Sequence, residues 1–223
     1  MAYVGSGTPI LGAPTMTADQ MRQYVRSVNP SAPDYAELYL SIGRRYHVRG
    51  DLAFAQSILE TNYWRFGGSV NASQNNFAGL GSTSRTEAGA SFPTPELGIE
   101  AQIQHLYGYA TAAPLPAGTT LVDPRFSILQ SAGLRGTAPN WEDLNGKWAV
   151  PGTTYGQDIL RIGEQMQAIS TGSAPTAPVT DWKQEAMQWL SRQGLINQPH
   201  DPDAPLTWAE FGTVLRRLTG GGQ

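Results

Sequence analysis

Residues 51–68 constrain the fold more than any other stretch of the chain. They read Asp-Leu-Ala-Phe-Ala-Gln-Ser-Ile-Leu-Glu-Thr-Asn-Tyr-Trp-Arg-Phe-Gly-Gly. The first half predicts a short, mostly apolar helix, with Leu52, Ala55, Ile58 and Leu59 at helical spacing. Gly50 or Asp51 can cap its start, where an acid also suits the helix dipole. A helix this apolar has to lie in a core. Its last turn carries a lone carboxylate, Glu60, followed at once by Tyr63, Trp64 and Phe66. Gly67 and Gly68 stop the helix and let the chain turn. An acid beside aromatics and a glycine turn suits a sugar-cleaving cleft, because an apolar setting keeps it protonated and able to donate. The same pattern also fits a surface glutamate at a frayed helix end.

The totals narrow the classes. At 223 residues the chain can hold one substantial core and a small appendage. Hydrophobic content of 40% and charged content of 15% describe a soluble globular protein, and no apolar run approaches the length of a membrane span. A net charge of −3 argues against nucleic acid or an anionic membrane as partner. With no cysteine, disulfides, thiolate metal sites and cysteine nucleophiles are excluded. The N-terminus lacks the basic and apolar regions of a Sec signal peptide. For a substrate outside the cell, export then needs another route or cell lysis. Six tryptophans and nine tyrosines supply flat faces for sugar rings, although a core uses the same residues.

Taken in order, residues 1–16 are expected to be an irregular lead-in. Thr17-Ala-Asp-Gln20 is a capping box for a helix with Met21, Tyr24, Val25 and Val28 on its buried stripe. After the prolines at 30 and 33, a second helix carries Tyr35, Leu38, Tyr39, Ile42 and Tyr46. Arg44, Arg45, His47 and Arg49 gather at its end, where cations complement the dipole. From residue 70 to 93 the helical period is lost, which predicts a loop or short β-hairpin. Thr94-Pro95-Glu96 starts a further helix with Ile99, Ile103, Leu106 and Ala110 inside. Tyr155, Ile159, Ile162, Met166 and Ile169 line another. Residues 17–169 thus form one nearly all-α domain. Residues 170–180 are a Pro/Ser/Thr linker, and 181–219 a small helical module opened in part by the capping box Thr207-Trp-Ala-Glu210.

Chemistry is narrowed by elimination. His47, His105 and His200 show no paired spacing, and neither a zinc motif, a serine elbow nor a phosphate loop is present. No cofactor or metal is expected. A carboxylate acting on a neutral polymer is the best candidate, and Glu60 has the most aromatic flanks. Asn75, Asn76 and neighbouring amides can hydrogen-bond sugar hydroxyl and N-acetyl groups, or simply form turns.

Gln56-Ser-Ile-Leu-Glu60-Thr, Gln74-Asn-Asn-Phe77-Ala-Gly-Leu80, Ala90-Ser-Phe-Pro93 and Trp141-Glu-Asp-Leu-Asn-Gly-Lys-Trp-Ala149, followed by Tyr155, resemble the glucosaminidase domain of glycoside hydrolase family 73. That family holds bacterial autolysins, flagellar peptidoglycan hydrolases and phage lysins. The resemblance covers roughly residues 15–170. It implies a mainly α, lysozyme-like fold with a small β-lobe beside the cleft. It also implies cleavage of the β-1,4 bond after N-acetylglucosamine in bacterial peptidoglycan, in the setting of a phage or prophage endolysin. In that setting the expectation is synthesis in the host cytoplasm and release by holin or lysis. Glu60 falls at the family's general acid position and Tyr155 at that of an aromatic residue near the cleft. Gln56, Tyr63, Trp64, Asn75, Asn76, Phe77 and Trp148 are then candidate substrate contacts. Many members add an acid in the β-lobe, and here only Glu87 is available, since no other acid besides Glu60 lies between Asp51 and Glu96. The C-terminal module is similar to a single surface-layer homology repeat, which implies a secondary cell-wall polymer as partner. An interaction helix pair is the alternative for it. For the whole chain, the competing readings are a lytic transglycosylase using the same acid and a non-catalytic wall-binding or phage structural protein.

Overall fold

The computed structural model describes residues 7–82, 89–148, 152–169, 187, 189–196 and 207–218. The chain divides into two compact units, Met1–Thr171 and Gly172–Gln223. In the first unit the order is α1 (Ala18–Val28), α2 (Ala36–Tyr46), α3 (Gly50–Glu60), a 3-10 turn (Ala72–Gln74), α4 (Pro95–Ala110), α5 (Phe126–Ser131), a second 3-10 turn (Trp141–Leu144) and α6 (Tyr155–Gln167). The fold is mainly α, as expected.

Local signals explain where the helices begin and end. Thr17 caps α1, accepting from the Gln20 amide while Gln20 Oε1 accepts from the Thr17 N–H at 3.0 Å. α2 stops where His47 enters the left-handed region at φ 54°. Thr94 caps α4 and Pro95 occupies its first turn. The start of α3 differs from the expectation. Arg49 is its N-cap without a side-chain cap bond, and Asp51 lies inside the first turn, fully buried. Gly50 is needed for another reason: a Cβ there would lie 2.1 Å from the Tyr39 carbonyl oxygen, so α2 and α3 meet backbone to backbone.

α3 and α4 are buried nearly all round rather than on one stripe. They form the centre of the unit, with Phe54, Ile58, Ile99, Ile103 and Leu106 fully inside. Their polar residues are consequently buried too, and each needs a partner. Glu100 meets Arg45 at 2.9 Å and the Tyr46 hydroxyl at 2.6 Å. Gln104 donates to the Tyr46 hydroxyl and the Thr120 carbonyl. The lead-in also packs: Ile10 is fully buried, and isolated bridges join Pro9 to Asn140 and Leu11 to Val48.

Where a small β-lobe was expected, the described residues contain no strand; they form the 3-10 turn at Ala72–Gln74 and a loop. Two backbone bonds tie its limbs, from Ala90 N–H to Leu80 O and from Phe92 N–H to Gln74 O. The Asn76 amide fills the gap between them, donating to the Leu80 and Ala90 carbonyls and accepting from the Leu80 N–H. A side chain thus supplies the bonds that a second strand would have made. The loop reaches α4 closely, because a Cβ on Gly98 would sit 1.7 Å from the Asn75 carbonyl oxygen.

In the second unit, residues 189–192 are helical and α7 spans Trp208–Leu218. α7 is amphipathic, buries none of its residues, and leaves Trp208 87% exposed. No helix among the described residues is long and apolar enough to cross a membrane.

Candidate active site

Glu60 is the last residue of α3, so the central helix aims it outward. The turn after it is unusual. Asn62, Tyr63, Trp64 and Phe66 all have φ between 49° and 58°, a region that bulky residues rarely occupy. Several bonds hold them there. The Tyr63 N–H donates to Ile58 O at 2.7 Å, the Trp64 N–H to Thr61 Oγ1 at 3.0 Å, and the Phe66 N–H to Thr61 O at 2.8 Å. Asn29 donates to the Tyr63 carbonyl, and Arg65 to that of Val28. Trp64 is driven inward against Phe54, Tyr35 and Phe77. The tight turn clears the space outside Glu60.

That space is a cleft of about 850 Å³. Its floor and walls include Glu60, Phe66, Gly67, Asn76, Gly79, Arg125, Lys147 and Trp148. Glu60 is the sole carboxylate among the described lining residues. Gly79, at φ 63°, brings its backbone close: a Cβ there would stand 3.9 Å from Glu60 Oε2. Tyr155, the first residue of α6, donates its hydroxyl to Glu60 Oε1 at 2.5 Å. Trp148 stacks on Tyr155, with rings 6.5 Å apart and 12° from parallel. His105 supports Trp148 edge-on at 5.0 Å and is itself held by Asp123, Nδ1 to Oδ2 at 2.7 Å.

The residue Glu60 is open to the cleft, yet protein crowds its carboxyl group on the other sides. This incomplete hydration raises its pKa, while hydrogen bonds from Tyr155 and Trp148 pull it back by less. The C-terminal end of the α3 dipole acts in the raising direction as well. Burial, and then the charge of Glu60, push the Tyr155 hydroxyl well above its usual range, so it remains a donor. The arrangement can hold a proton on a carboxylic acid and offer it to a group in the cleft.

The sequence-predicted residues separate into three groups. Glu60, Asn76 and Trp148 line the cleft, and Tyr155 touches Glu60 from behind. Gln56, Trp64 and Phe77 are buried, and Tyr63 and Asn75 are also absent from the lining. Tyr63 instead meets Tyr24, and Asn75 donates to the Phe92 carbonyl. Glu87 lies outside the described residues. Arg125 and Lys147 are cleft residues that the sequence reading did not single out. The Trp141–Ala149 motif runs through Lys147 and could have pointed to it. No group of three or more metal-ligating side chains occurs among the described residues.

Among the described residues, a mainly helical unit that sets a single acid beside an open cleft fits the class of glycan-cleaving enzymes. The comparisons make this specific: residues 36–168 match the glucosaminidase family, described as mannosyl-glycoprotein endo-beta-N-acetylglucosaminidase, and the chain belongs to that family of glycoside hydrolases. An uncharacterized protein of Borreliella burgdorferi (strain ATCC 35210 / DSM 4680 / CIP 102532 / B31) is 40% identical over 122 residues, which is 55% of either chain. The chain therefore spans about half the length of that relative. No solved structure matches the chain.

Proposed function

We propose that the chain is a peptidoglycan hydrolase that cleaves the β-1,4 bond after N-acetylglucosamine, with Glu60 as general acid. The observation that carries this reading is the placement of Glu60: crowded by protein so that its pKa is raised, bonded on Oε1 by Tyr155, and open on the cleft side. Family membership supports the bond type. In this reading Glu60 protonates the leaving oxygen as the C1–O bond breaks and positive charge spreads over the sugar ring. Trp148 contacts the glycan from the cleft wall, and the buried Asn76 amide holds the loop beside it in shape. Glu87 is the proposed second carboxylate, which would activate water. Gln56, Tyr63, Trp64, Asn75 and Phe77 support the site by shaping the elements that carry its lining residues.

One observation favours a second reading. Because Glu60 stands alone among the described cleft acids, a lytic transglycosylase, which needs a single acid and closes an anhydro sugar, uses the same site. Digestion of purified sacculi followed by mass analysis of the muropeptides decides between them. Reducing N-acetylglucosamine ends are expected, and anhydromuramic ends would overturn the hydrolase assignment. The same digestion with Glu60→Gln tests the acid itself. Within this proposal the biological setting is phage or prophage lysis, checked by host lysis on co-expression with a holin. Residues 181–219 are proposed to bind a secondary wall polymer, checked by retention of the full chain on walls with and without that polymer.

A further inference from the structure

Four buried groups stand in line behind Glu60 and reach it only through Tyr155. Gln56 of α3, Gln102 of α4 and Tyr39 of α2 are fully buried, and Tyr155 nearly so. The Tyr39 hydroxyl donates to Gln102 Oε1 at 2.8 Å. Gln102 Nε2 donates to the Ala53 carbonyl at 2.9 Å and to Gln56 Oε1 at 2.8 Å. Gln56 Nε2 donates to the Tyr155 hydroxyl oxygen at 2.8 Å, and that hydroxyl donates to Glu60 Oε1.

The direction of this chain is set at one end by a group that cannot reverse. The Ala53 carbonyl only accepts, so the Gln102 amide must turn its nitrogen toward it. With that nitrogen also facing Gln56, the Gln56 amide presents oxygen to Gln102 and nitrogen to Tyr155. The Tyr155 oxygen then accepts a hydrogen bond from Gln56 and has a single O–H of its own to donate. Glu60 Oε1 accepts that bond. A carboxylic acid accepts better at its carbonyl oxygen than at its hydroxyl oxygen, so a donor fixed on Oε1 favours the acid proton on the other oxygen. The alternative orientation of the Tyr155 hydroxyl faces the Gln56 N–H. The acid proton is left on Oε2, the oxygen on the Gly79 side.

We infer that Gln102 and Gln56 are positioning residues: they fix the direction of the Tyr155 O–H and so hold the acid proton of Glu60 on its cleft-facing oxygen. The inference rests on the proposed role of Glu60 as general acid. The Trp148 indole N–H also donates to the Glu60 carboxyl group, but it has one fixed donor proton and no link to Gln56 or Gln102. The other titratable or charged groups near this end are Tyr109 of α4 and the cleft cations Arg125 and Lys147, and none of them bonds Glu60 Oε1.

The test uses the full chain on purified sacculi, with kcat and KM measured for Gln56→Met and Gln102→Met, each in the parent and in a Tyr155→Phe background. Either methionine lets the proton order reverse. Each is expected to lower kcat about threefold to tenfold, the worth of one neutral hydrogen bond, with KM unchanged. In the Tyr155→Phe background the same changes are expected to have no further effect on kcat. An equal loss in both backgrounds, or no loss in the parent, overturns the inference. Thermal unfolding identifies a variant that fails to fold; if Gln102→Met does, Gln56→Met, a change of similar volume, decides. If Glu60→Gln retains parental activity, the functional reading itself has failed. If Glu60→Gln is inactive and the methionine losses persist without Tyr155, only the positioning role has.

Discussion

α3 carries a carboxylate at each end, and the two ends live under opposite rules. Asp51, in the first turn, is fully buried and saturated. It accepts from the backbone N–H groups of Thr15 at 2.7 Å, Met16 at 3.3 Å and Leu52 at 3.0 Å, from the Thr15 hydroxyl at 3.2 Å, and pairs with Arg49 at 3.0 Å. It also lies at the positive end of the helix dipole. These bonds tie the lead-in to the core. Glu60, nine residues on, sits at the negative end, bonded by Tyr155 and Trp148 and facing an open cleft. Its surroundings favour the proton. The helix makes one acid structural and the other reactive by where it places them.

The largest test of this contrast exchanges each acid for its nearest neutral counterpart or removes it. Glu60→Gln keeps the shape and deletes the transferable proton, so activity on sacculi should fall about 10²- to 10⁴-fold. Its stability should move the other way with pH. A glutamate whose folded pKa is raised binds more protons in the native state, so the parent loses stability as pH rises through the window above the ordinary glutamate value. The glutamine variant has no such loss. Denaturant melts at acidic and neutral pH should show the variant gaining on the parent as pH rises. Asp51→Ala should do the reverse: it leaves three N–H groups and Arg49 without their partner, and should cost about 3 kcal/mol in urea unfolding. The kcat of the molecules still folded should stay within a factor of about two. Equal stability losses at the two ends would break the comparison.

How much of this could be read from the residues alone follows the same division. Periodicity and capping located α1, α4 and α6, because Thr17, Thr94 and the Ile159–Met166 stripe act through local geometry. Glu60 was legible because a lone acid at the end of an apolar helix is conspicuous in one dimension. Asp51 was not. As a helix-start acid it reads as a cap, and its real partners, Thr15 and Met16, come from a lead-in that looks irregular on composition. The buried amides were equally hidden. Gln56 and Gln102 fall on helices wrapped on all sides, where polarity no longer marks the solvent face. The β-lobe expectation also met a non-local cause: the Asn76 side chain, rather than a strand, satisfies the carbonyls of Leu80 and Ala90. The Asn76 amide suggests a sugar contact in one dimension, but in the fold it bonds the loop's own backbone.

The finest test removes one hydroxyl from beside each acid. Tyr155→Phe takes the O–H that Glu60 Oε1 accepts, and Thr15→Val takes one from Asp51 Oδ2. At Glu60 the lost donor had stabilised the carboxylate. Without it the pKa rises further, and since the acid works only when protonated, the high-pH limb of kcat/KM should move to higher pH. The maximal rate should nevertheless fall about tenfold, as the acid loses the bond that orients it. At Asp51 the same deletion leaves three backbone donors and Arg49 in place, and Thr15 itself is exposed. Unfolding should lose less than about 1 kcal/mol, and the pH–rate profile should not move. One hydroxyl matters more at Glu60 because that end has few bonds to spare, and few bonds are what leave an acid free to give up its proton.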